Sequence, residues 1–179
     1  MKSPISALIV TLFFGLSYFL LFQFQVHVMG TFDFLPMVSI LFVPAGIKFL
    51  GMLIGRGWGV LGIFIGRLAL DLQIGNSIQS VWWLLNDVFW LVLPYMFINH
   101  YLQRHRLSDD LSRLSAYHLA VLAIGASLIS SVGSQVLVFI EHQPVYSFMQ
   151  ATWSMVIGDV SGIMATLLFV YGARRAFRH

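Results

Sequence analysis

Cysteine is absent from the 179 residues, which excludes disulfides and thiolate metal sites. Charge is scarce as well: Asp, Glu, Lys and Arg make up 9% of the chain, against about 25% in a water-soluble domain. No phosphate-binding glycine loop, no Ser-His-Asp pattern and no nucleophile elbow occurs, and no hydrophilic stretch is large enough to be a soluble enzymatic domain. The reading is therefore non-enzymatic, with no cofactor. His27, His100, His118 and His142 fall at expected helix ends, and none shares a helical face with a carboxylate at ligand spacing, so no metal site is expected. The net charge of +3 does not point to nucleic acid, because the basic residues are confined to short loops and the tail.

What the chain has is apolar length. It is 59% hydrophobic with a mean hydropathy of +0.86, and the solvent that suits such a composition is a lipid bilayer. The apolar run from Ile5 to Val26 is longer than the roughly 7–15 residues of a signal-peptide core, and no small-residue cleavage site follows it. It reads as a retained first membrane helix. The expected fold class is all-α: one transmembrane domain over 1–179, with helices at about 5–26, 35–54, 59–76, 81–100, 116–140 and 147–171, each near the ~20 residues that span a bilayer. The third is the shortest, with a glycine-rich start (Gly55, Gly57, Gly59) and a polar end (Asp71, Gln73, Asn76, Ser77, Gln79).

The same count orients the chain. Lys2, Arg56, Arg104, Arg106, Arg113, Arg174, Arg175 and Arg178 all fall on one side of a six-pass arrangement, and the opposite loops hold no Lys or Arg. By the positive-inside rule that side is the cytoplasm, so both termini are expected there, in a bacterial inner membrane. The 101–115 loop reads either as a short amphipathic helix at the lipid surface or as a plain connector. Trp58, Trp82 and Trp83 suit an interfacial aromatic belt, whereas Trp90 and Trp153 could also line a pocket.

Five charged residues interrupt the apolar helices: Lys48, Arg67, Asp71, Asp87 and Asp159. A charge in hydrocarbon costs several kcal/mol or so, and its default reading is functional. Two positive and three negative groups can form a paired internal cluster, and Arg67 and Asp71, four apart, share a helical face. The cluster is either a structural salt-bridge network or a ligand or proton site. Lys48 has a third option, to extend its ammonium group to the interface. Pro44 and Pro94 are expected to kink the second and fourth helices. The pairs Gly51/Gly55, Gly62/Gly66 and Gly158/Gly162 are each four apart, a spacing that lets helix backbones approach, within one bundle or across a homo-oligomer face.

Two segments carry a family resemblance. Val43-Pro44-Ala45-Gly46-Ile47, followed by Gly55-Arg56-Gly57-Trp58-Gly59 and Val60-Leu61-Gly62-Ile63-Phe64-Ile65-Gly66, resembles the helix-two to helix-three signature of the MASE1 membrane-associated sensors. Trp153 to Gly162 resembles that family's Trp…Gly-Asp-x-x-Gly helix. The turn's usual proline is replaced near Val60-Leu61, and members of the family have more helices and a cytoplasmic kinase, cyclase or phosphodiesterase domain. The resemblance implies a bacterial inner-membrane sensor or interaction module, with Pro44, Gly46, Gly158, Asp159 and Gly162 as the corresponding positions. Its partners would be the bilayer and a second membrane protein or a cytoplasmic signalling or ATPase protein. Size and topology also suit two other classes: the substrate-binding subunit of an energy-coupling-factor transporter, and an accessory or assembly subunit of a larger membrane complex.

Overall fold

The computed structural model describes residues 3–28, 33–35, 38–39, 41–74, 85–107, 111–142 and 147–176. The fold is all-helical apart from one short antiparallel pairing of β1 (Asp33–Leu35) with β2 (Val38–Ser39). Among the described residues, four helical stretches are long and apolar enough to cross a membrane: Pro4–Val28, Val43–Gln73, Ala116–Ile140 and Phe148–Ala176. The first is α1. Its buried residues Ala7, Thr11, Phe14, Gly15 and Tyr18 recur at helical spacing and form one stripe. Most of the opposite face, including Ile5, Leu8, Leu12, Leu16, Leu20 and Phe24, is exposed and apolar.

The second stretch folds back on itself. Arg56 has φ 54° and ψ −141°, a left-handed backbone value uncommon outside glycine, and the chain reverses there. A β-carbon on Gly59 would overlap the carbonyl oxygen of Gly51. In a straight helix those residues would be about 12 Å apart along the axis. We therefore divide the stretch into α2 (Val43–Leu50, continued by a π-helical turn at Gly51–Gly55) and α3 (Arg56–Ile74). The fourth helix, α4 (85–104), carries a π-helical segment at Val88–Val92 before its α-helical part, Leu93–Arg104. Then come a 3₁₀ turn at Leu111–Arg113, α5 (Ala116–His142) and α6 (Phe148–Ala176).

The contacts fix the direction of each helix. Thr11 Oγ1 donates to the Trp58 carbonyl at 3.2 Å and Gln23 pairs with Gln73, so α1 and α3 run parallel. Gln25 Oε1 accepts from the Val43 N–H at 3.2 Å while Phe14 meets Gly51 and Gly55, so α2 runs against α1. Arg56 reaches Asn99, and Arg67 reaches Asp87, which sets α4 against α3. Tyr101 meets His118, and Phe139 meets Phe148, so α5 opposes α4 and α6 opposes α5. Among the described residues, successive helices from α1 to α6 alternate in direction. The start of α1, the Arg56 turn, the α4–α5 connection and the end of α6 share one end of the bundle.

Two expectations change. The second helix starts at Val43 rather than near residue 35, because the chain before it is paired as β1–β2. Pro44 consequently occupies the second helical position, where its missing N–H is no loss and no kink follows. The orphan donors at this helix start are satisfied from outside: the Phe42 N–H by the Gly158 carbonyl at 3.1 Å and the Val43 N–H by Gln25. Within the 101–115 segment, the described leucines face the bundle. Leu107 is buried, and Leu111 and Leu114 pack on the core, which pins the connection to the bundle. The polar end expected for the third helix (Asn76, Ser77, Gln79), and Trp82 and Trp83, lie outside the described residues.

Candidate functional site

Trp90 lies at the centre of the bundle, 6% exposed. Its position follows from Pro94 four residues later. Proline has no N–H to donate, so the Trp90 carbonyl loses its helical partner, and the helix widens into the π-helical segment Val88–Val92. Ser130 of α5 takes up the freed carbonyl, donating from Oγ at 3.4 Å. A serine hydroxyl replacing a backbone bond lost to proline is how membrane helices tolerate this residue. Pro94 thus sits beside an opened stretch of helix backbone, whereas Pro44 sits at a helix start.

Two cations lie against this indole. Lys48 Nζ is 4.7 Å from the ring centroid, and so is Arg67 Cζ. A desolvated cation over a tryptophan face gains about 2 kcal/mol or more. The edge of Tyr18 closes the arrangement at 5.6 Å between centroids. Lys48 is 4% exposed. It donates to Ser130 Oγ at 3.1 Å and faces Asp159 Oδ2 at 3.5 Å. It therefore points into the bundle and does not extend to the interface: α2 is held against α6, and the shortest route for its ammonium group leads to the carboxylate.

Arg67 pairs with two carboxylates, Asp87 Oδ1 at 3.1 Å and Asp71 Oδ2 at 3.5 Å. The contact with Asp87 is electrostatic in geometry, and neither Asp87 oxygen accepts a hydrogen bond from the described residues. The five charged side chains therefore form two ion-pair groups, Lys48–Asp159 and Arg67–Asp71–Asp87, bridged by Trp90. All six helices contribute: Tyr18 from α1, Lys48 from α2, Arg67 and Asp71 from α3, Asp87 and Trp90 from α4, Ser130 from α5 and Asp159 from α6. Sequence reasoning singled out the charges but gave Tyr18 no role, counted Ser130 only among the small packing residues of its helix, and offered Trp90 only as an interfacial or pocket-lining residue. One signal was available: Trp90 lies three residues after Asp87 and four before Pro94, on the charged face of a helix whose backbone must open there.

The glycine positions close the far side of the site. Gly46 faces Thr166 and the Gly162 carbonyl, and a β-carbon on Gly162 would overlap the carbonyl of Phe42. Pro44, Gly46, Gly158 and Gly162 thus belong to one crossing of α2 with α6, next to Lys48–Asp159. Gly15, Gly62 and Gly66 form a second close crossing, between α1 and α3. Both are packing within this chain. Trp153 is 52% exposed. An open groove of about 480 Å³, lined by Arg56, Gly57, Trp58 and Leu61, lies at the α2–α3 turn and not at the α2–α6 crossing.

Further buried polar atoms have no hydrogen-bond partner among the described residues: the hydroxyls of Ser127, Ser131, Ser134 and Thr152, and Gln135 Oε1. A buried polar group left unsatisfied costs about 1–3 kcal/mol. Neither a family profile, a curated protein nor a solved structure matches the chain.

Proposed function

We propose that the chain is a six-pass inner-membrane module with both termini in the cytoplasm, which senses a small ligand or a partner membrane protein and regulates that partner or an associated signalling protein. The six alternating helices support the pass count. The positive-inside rule supports the orientation, since Arg56, Arg104, Arg106, Arg113, Arg174 and Arg175 all belong to segments at one end of the bundle.

The observation that carries the regulatory reading is Trp90. One residue, in a π-helical segment of the kind often found at functional sites, holds the cations of two otherwise separate ion-pair groups. A shift of α4 relative to its neighbours alters both groups together. A purely structural network gains little from such coupling, because replacing buried ion pairs with apolar residues is often neutral or stabilising. The two segments that carry the MASE1-like resemblance meet at Gly46 and Gly162, so on that reading the motif residues would form one site.

The test is reversible crosslinking in native membranes, followed by assay of the captured partner with wild type and with Asp87→Asn. The substitution keeps the side-chain shape, removes one charge and breaks no hydrogen bond among the described residues. A signalling enzyme whose activity changes with Asp87→Asn supports the proposal. An ATPase pair would indicate a transport subunit. A multisubunit complex with activity indifferent to Asp87 would indicate an accessory subunit. Either of the last two outcomes overturns the sensor reading.

A further inference from the structure

Five buried polar side chains outside the ion-pair cluster lie where α5 and α6 pack together. Ser127, Ser131, Ser134 and Gln135 on α5 and Thr152 on α6 are 2%, 0%, 7%, 4% and 5% exposed. Each has an oxygen without a partner among the described residues. At about 100° per residue, Ser127, Ser131 and Ser134 fall within an arc of about 60°. That arc lies between Ser130, which faces Lys48, and Gln135, whose Nε2 contacts Met155 Sδ on α6 at 2.7 Å. The three hydroxyls therefore point into the seam where α5 meets α6 and α2. Thr152 marks its end near the α5–α6 loop, Ser127 its deep end, and the Lys48–Asp159 pair lies alongside.

A hydroxyl inside a membrane helix ordinarily bonds the carbonyl one turn earlier. Thr166 does so, donating to Gly162 O at 2.9 Å. The seam hydroxyls do not. Buried polar groups are satisfied in nearly all proteins, by protein or by ordered water, and a buried water needs two to four polar partners. The seam supplies them in sequence, with Asp159 at its side. We infer that the α5–α6 seam is a hydrated access path, a file of water running from the α5–α6 loop end to the buried Lys48–Asp159 pair. This goes beyond the regulatory reading and does not depend on it.

The absence of native cysteine makes the test direct. Single cysteines replace Ser127, Ser131 or Ser134 in turn, and lipid-facing Val132 and Val136, 41% and 39% exposed, serve as controls. The probe is a small, water-soluble methanethiosulfonate, which requires a thiolate and hence water at the sulfur. Membranes of both sidedness are labelled. The expected result is at least tenfold faster modification at the three seam positions than at Val132→Cys or Val136→Cys, in the order 134, 131, 127 from the loop side. A second measurement uses the unmodified protein in nanodiscs: brief radiolysis of water should oxidise Met155, beside the seam, faster than lipid-facing Met164. Seam cysteines no faster than the controls, or Met155 no faster than Met164 should the cysteine variants not fold, would overturn the inference.

Discussion

Lys48 and Asp159 pair with each other but are not equally provided for, and a double-mutant cycle reads the difference. Asp159 has Lys48 as its one charged partner among the described residues, at 3.5 Å. Lys48 has in addition the Ser130 hydroxyl at 3.1 Å and the Trp90 face at 4.7 Å. Removing one member of a buried pair costs about 3–5 kcal/mol. Lys48→Met leaves a bare carboxylate and should cost about the upper end of that range. Asp159→Asn leaves an ammonium that keeps its hydroxyl, its indole and an amide oxygen, so its cost should be lower by about 1–2 kcal/mol, the worth of a charged hydrogen bond or a cation–π contact. Lys48→Met with Asp159→Asn removes both charges and should restore stability to within about 2 kcal/mol of wild type. At roughly 2–4 °C per kcal/mol for a chain of this size, Lys48→Met should lower Tm by roughly 10–20 °C. The assay is heating in nanodiscs, followed by tryptophan fluorescence and the folded fraction on size exclusion, because thiol-reactive dyes have nothing to label. Two results would refute the reasoning: Asp159→Asn costing as much as Lys48→Met, or a double variant whose loss equals the sum of the single losses.

Three further outcomes follow from the packing. Gly162→Ala forces a β-carbon against the Phe42 carbonyl and should cost about 1–3 kcal/mol or more. Gly172→Ala meets nothing within 4 Å and should be neutral or stabilising by up to about 1 kcal/mol; paired thermal melts separate the two. Ser130→Ala orphans the carbonyl that Pro94 frees and should cost about 1–3 kcal/mol, and adding Pro94→Ala should recover part of that loss by returning an N–H to Trp90. Reporter fusions within 104–113 and after His179 should report cytoplasm, and fusions near Glu141 the opposite side; a C-terminus outside the cytoplasm would overturn the six-pass orientation.

The helical class was legible in composition, and the helix ends mostly in the apolar runs, because a bilayer leaves few alternatives. The five charges were legible because each is expensive where it stands. Their partition was not. Which carboxylate Lys48 meets depends on α2 running parallel to α6, a long-range fact with no local signal. The start of the second helix was misread because the run before Val43 is apolar enough for a helix, and hydropathy does not register its short β pairing. Pro44 and Pro94 look alike in sequence, each within an apolar run. They differ in structure because one begins a helix and the other interrupts one.

The ion pair between α2 and α6 joins residues 111 positions apart, and a ribosome makes them in that order. At about 5–20 residues per second, Lys48 emerges roughly 6–20 s before Asp159 exists. During that interval the second helix carries a positive charge with no counter-ion in the nascent chain's later half. The helix must wait beside water, the insertion machinery or Trp90 once α4 arrives, and α6 acts as the final clasp. The Lys48–Asp159 pair therefore closes only once α6 is made, and a chain arrested before residue 159 should expose α2 to the quality-control proteases of the membrane.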